Sequence, residues 1–110
     1  MPERRVIEYL EQDSSSPFGK WFTRLNAKAG AKVATALYRL EQGNMSNVKS
    51  VGKGVFEYRI DFGPGYRVYF GQESATLVIL LGGGTKKRQS KDIGNAQKLW
   101  AEYKSRKKRR

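Results

Sequence analysis

The spacing of hydrophobic residues changes period several times along the chain, and each change marks an element. Val6, Ile7, Tyr9 and Leu10 lie between Arg4 and Glu11 and give way to Asp13-Ser14-Ser15-Ser16-Pro17, so a first strand stops at a cluster of turn formers. Phe18, Trp21, Phe22 and Leu25 follow at i, i+3, i+4 and i+7. They mark one face of a short amphipathic helix, with Ser16 as its cap and Pro17 in its first turn. After Asn26, Ala29, Val33, Leu37 and Leu40 recur every three or four residues until Gly43-Asn44, which predicts a second helix forming an antiparallel hairpin with the first.

From Val55 the period becomes two. Phe56, Tyr58, Ile60 and Phe62 alternate with Glu57, Arg59 and Asp61, the pattern of a half-buried strand. Gly63-Pro64-Gly65 forms a turn, and Tyr66, Val68 and Phe70 alternate with Arg67 and Tyr69 in the return strand of a hairpin. Thr76 to Leu81 is an unbroken β-branched and leucine run, as in a central strand covered on both faces. Gly82-Gly83-Gly84 is expected to end that strand. A basic loop then leads to a last helix that starts near Ser90 and Asp92 and carries Ile93, Ala96, Trp100 and Tyr103 on one face. The predicted fold is α+β in the order β-α-α-β-β-β-α, an antiparallel sheet packed against a helical hairpin. One domain is expected over residues 1–103. Residues 104–110, six of them basic, are expected to form a mobile tail.

Composition narrows the chemistry. The 110 residues include no histidine and no cysteine, which removes zinc fingers, thiol nucleophiles, Ser-His triads and imidazole acid–base work. Any reaction must use Lys, Arg, Tyr, Glu or Asp, and no cofactor is expected. The chain carries 22 Lys plus Arg against 10 Asp plus Glu, a formal charge of +12, and residues 86–110 hold 11 basic and 2 acidic side chains of that total. Such a surface attracts polyanions, nucleic acid first among them, although an acidic protein partner fits the same field. No apolar segment reads as a signal peptide or membrane span. A cytoplasmic protein is expected, in keeping with the missing cysteines.

The hairpin is the most informative segment. If the turn pairs Phe62 with Tyr66, Asp61 faces Arg67 and Arg59 faces Tyr69, all on the face opposite the apolar one. Two guanidinium groups, which stay charged and match phosphate in bidentate geometry, make a seat for a phosphodiester. The same residues with Glu57 also read as a solvated ladder of ion pairs. Lys49 and Lys53 lead into the Arg59 strand, and Lys86, Lys87, Arg88 and Lys91 follow the glycines, so three basic clusters converge if the strands are neighbours. That convergence favours a phosphate-bearing partner. Gly82-Gly83-Gly84-Thr85-Lys86 lacks the spacing of a phosphate-binding P-loop, which excludes nucleotide hydrolysis. Trp21, Phe22 and Trp100 sit at core spacing and read as packing residues.

Two stretches are specific enough to suggest a family. RLEQGNMSNVKSVGKGVFEYRIDFGPGYRVYF, from Arg39 to Phe70, and LLGGGTKKRQSKDI, from Leu80 to Ile93, strongly resemble the RelE/HigB-like toxins known as addiction module killer proteins. The similarity extends from about Phe18 to Trp100. It implies a small α+β fold with an N-terminal strand, a helical hairpin and an antiparallel sheet. It further implies a bacterial type II toxin that cleaves messenger RNA on the translating ribosome and is neutralised by a cognate antitoxin, usually a helix-turn-helix protein. The reaction would be metal-independent attack of the ribose 2′-hydroxyl on the adjacent phosphate. By this resemblance Arg59 and Arg67 hold the scissile phosphate, Lys53 or Lys87 moves protons, and Glu57 is the alternative base. Lys49, Lys86, Arg88 and Lys91 would contact RNA. The better-studied ribonucleases of this superfamily place a His or Tyr at or soon after the end of the last strand, whereas this chain has neither between Tyr69 and Tyr103. Two alternatives therefore stand beside the ribonuclease: a ParE-like inhibitor of DNA gyrase, and a basic RNA- or ribosome-binding module.

Overall fold

A computed structural model describes residues 3–108. The elements run β1 (Arg5–Glu8), α1 (Pro17–Thr23), α2 (Ala27–Glu41), β2 (Val48–Ser50), β3 (Val55–Ile60), β4 (Tyr66–Ser74), β5 (Leu77–Thr85), a 3₁₀ turn (Lys86–Arg88) and α3 (Gln89–Lys108). The strands form one open sheet in the order β1-β5-β4-β3-β2. Both helix caps lie where the sequence puts them: Ser16 Oγ accepts from the Gly19 N–H at 2.8 Å and Asn26 Oδ1 from the Ala29 N–H at 2.9 Å. Each satisfies one backbone donor that the first helical turn leaves without a partner.

Four features differ from the expectation. The sheet is mixed, because β1 runs parallel to β5 with Arg5 opposite Leu77, while the other pairings are antiparallel. Val48–Ser50 adds a short edge strand on β3. The hairpin loop is five residues long, so Ile60 pairs with Tyr66 and Arg59 with Arg67, not with Tyr69. The glycines do not end the third strand of the meander: β5 continues to Thr85. It does so through a bulge at Leu81, with Phe70 opposite Leu80 and Tyr69 opposite Gly82. An extra residue in one strand shifts its alternation. After the bulge Gly83 lies under Trp21 of α1 and Gly84 under Asp92 of α3, where a Cβ would stand 2.3 and 1.9 Å from those side chains. Only glycine lets both helices approach the strand this closely.

Both faces of the sheet are covered. On one, Tyr58, Ile60, Tyr66, Val68, Phe70, Val78 and Leu80 pack with Phe18 of α1 and with Val33 and Leu40 of α2. On the other, Val55, Tyr69, Ile79 and Leu81 pack with Ala96 and Trp100 of α3. The last helix also runs past the boundary expected at residue 104. Arg106 donates to the Leu10 carbonyl at 2.9 Å and stacks over the Tyr9 ring, and Lys107 pairs with Glu73. Those contacts give residues 104–108 something to rest on; Arg109 and Arg110, the end of the expected tail, lie outside the described residues. No helix of the described residues is long and apolar enough to cross a membrane.

Candidate nucleic-acid interface

The α3 face of the sheet is covered only as far as Gln89, and beyond it the basic residues of three segments meet. At their centre lies Glu57 of β3, fully buried. Its Oε2 accepts from Gln89 Nε2 at 2.7 Å and lies 3.6 Å from Arg67 Nε, while its Oε1 lies 3.9 Å from Lys49 Nζ. The period-two pattern that puts Glu57 on the polar side of β3 is correct about the side. That side is not solvent, because α3 packs on it. Val55, Tyr69 and Leu81 share this face, and together with the apolar stripe of the last helix they are the sequence signal that it is covered.

The register correction changes the roles of the two arginines. Directly opposite each other across β3 and β4, they would repel, and each has its own carboxylate: Arg67 lies against Glu57, and Arg59 has Asp61 Oδ1 at 3.8 Å. Arg59 is exposed, with 57% of its side chain open to solvent, whereas Arg67 has 7%. The expected open pair of guanidiniums is therefore one exposed arginine backed by a buried one. Arg67 Nη1 donates to the Gly65 carbonyl at 3.2 Å, and the Lys86 N–H donates to the same oxygen at 2.8 Å. That carbonyl ties the β3–β4 loop to the 3₁₀ turn.

The other predicted residues divide into near and far. Lys49 sits on the edge strand opposite Glu57, and Lys86 lies against Gly65. Lys86, Lys87, Arg88 and Lys91 line a shallow groove along the turn and the first residues of α3. Lys53 is apart from them. It occupies the β2–β3 turn between Gly52 and Gly54, in the left-handed region at φ 56°, and about 13 Å of strand separates Val55 from Arg59. Gln89, which sequence reasoning missed, carries no signal of its own; only the tertiary contact identifies it.

Two groups near this surface have altered acidity. Tyr69, buried beside Glu57, is pushed well above its usual value, first by burial and then by the negative charges of Glu57 and Asp92, with Arg67 opposing. It is held as a neutral phenol. Asp92, in the first turn of α3 and set over Gly84, is raised by burial against the opposing Arg88 and Lys91 charges. The arrangement presents Arg59, Lys49 and the 86–91 cations to solvent and keeps the carboxylate and the phenol beneath them. Such a surface offers fixed donors with the chemistry that suits an anion.

Residues 20–101 match the family described as Phage derived protein Gp49-like. The chain is also similar to an uncharacterized protein of Haemophilus influenzae, with 48% identity over 83 residues that make up 74% of this chain and 84% of that protein. The family match spans most of the chain, which therefore belongs to the phage-derived Gp49-like family.

Proposed function

We propose that this protein is the toxin of a bacterial toxin–antitoxin pair and acts as a ribosome-dependent endoribonuclease on messenger RNA. The observation that carries the reading is the group of exposed cations, Arg59, Lys49 and Lys86, around the buried Glu57–Arg67 pair where the start of α3 meets the sheet. The resemblance to RelE/HigB-like toxins and membership of the Gp49-like family support it. In this reading Arg59 meets the scissile phosphate and Arg67 stands behind it, so that charge developing as the 2′-hydroxyl attacks, the P–O5′ bond breaks and the 5′-oxygen leaves to take up a proton falls on fixed donors. Lys87 is the proton carrier, Arg88 and Lys91 extend the RNA contact along the groove, and Lys53 meets the RNA further along β3. The partner is an antitoxin, a helix-turn-helix protein.

A second reading has its own observation. Tyr69 and Glu57, two groups suited to proton transfer on this surface, are both buried, and the surface works without them as a binding face. A ParE-like gyrase inhibitor needs only that. Induction of the protein alone in bacteria separates the readings. Translation-dependent cuts in coding regions, absent with Arg59→Ala, are expected; intact transcripts together with inhibited supercoiling would replace the ribonuclease by the gyrase inhibitor.

A further inference from the structure

We infer that Glu57 is a positioning residue: it holds Arg67 and the start of α3 so that three separately encoded basic segments face one phosphate. The inference deepens the reading above and rests on it. Lys49 belongs to β2, Arg67 to β4 and Gln89 to α3, and Glu57 lies within 4 Å of a polar atom of each. Gln89 directly follows Lys86-Lys87-Arg88, so its 2.7 Å hydrogen bond to Glu57 fixes where that basic turn sits against the sheet. Glu57 is also wholly inaccessible, and a carboxylate sealed from solvent beneath two cations acts through them and does not touch the substrate. Its place in the mechanism is thus behind the phosphate and differs from the role of a base.

This role has a sign opposite to simple electrostatics. Replacing Glu57 by Gln raises the net charge by one and, if only the field mattered, would tighten RNA binding. If Glu57 positions Arg67, binding weakens. Glu57→Gln is expected to bind a short single-stranded RNA oligonucleotide about threefold or more weakly at low salt by fluorescence anisotropy, and to add nothing in an Arg67→Gln background. Gln89→Ala leaves the charge unchanged and is expected to weaken binding in the same direction; it decides the question should Glu57→Gln fail to fold. Equal or tighter binding by the folded variants overturns the inference. If the unaltered chain binds no RNA, the RNA reading falls instead. The positioning role is then decided by the Arg67 Nε–Hε NMR resonance, which must move when Glu57 or Gln89 is replaced and overturns the inference if it stays.

Discussion

Glu57 and Arg67 are a buried pair in a chain with 12 excess positive charges, and their value depends on each other. Removing one partner leaves the other charged and without solvent, so Glu57→Ala should cost about 3–5 kcal/mol in urea unfolding. Arg59→Ala, at an exposed position, should stay within about 0.5 kcal/mol while removing toxicity. Lys53 offers the reverse case. Its left-handed backbone costs a non-glycine residue roughly 1–2 kcal/mol, more than the unfolded-state entropy that glycine adds, about 0.4–1 kcal/mol, so Lys53→Gly should raise stability in the same assay. Tyr69 gives a pH prediction. Its folded value lies above the ordinary value of 10, so the unfolded chain releases this proton first and stability falls as pH rises through 10. Tyr69→Phe should flatten that alkaline loss in a stability–pH profile. At this scale the exposure of Arg59 was legible from alternation alone. The burial of Glu57 was not, because alternation assigns a face and says nothing of what covers it.

Among elements, β5 depends most on the absence of side chains. Gly83→Ala would drive a methyl into Trp21, and overpacking of this kind costs about 1–3 kcal/mol. Gly82, where a Cβ meets nothing within 4 Å, should accept alanine with no loss and a gain of up to about 0.5–1 kcal/mol from reduced chain entropy. Equal costs at the two positions would contradict the alternation that turns Gly83 toward Trp21 and Gly82 to the other face. Caps, periods and turn residues made the helices and the long strands readable, since those signals are local. Three features had no such signal. Val48-Lys49-Ser50 is too short for a period, the β1–β5 pairing joins distant residues, and the five-residue loop closes around Asp61 and Phe62, which the alternation of β3 counts as strand.

On the scale of the whole molecule, α3 is the clasp of one face, and its basic end divides into different uses. Arg106 and Lys107 are engaged with Leu10, Tyr9 and Glu73, while Lys104 lies over the Trp100 ring. Deleting residues 104–110 should therefore lower Tm, by about 4–8 °C for each kcal/mol lost, as well as reduce the salt dependence of RNA binding. A change in salt dependence alone would mean that these contacts hold nothing. The parallel pairing of β1 with β5 has a further consequence, for synthesis. Arg5 waits for Leu77, and Arg67 and Glu57 are enclosed only when Gln89 arrives from beyond β5. The β3–β4–β5 meander can assemble from neighbours, but the N-terminal strand closes a loop spanning most of the polypeptide, a slow step in chain topology. During synthesis the cationic surface is therefore assembled only after β5 and Gln89 have followed β3 and β4 out of the ribosome, so Arg67 and Glu57 stay open to solvent until the start of α3 arrives.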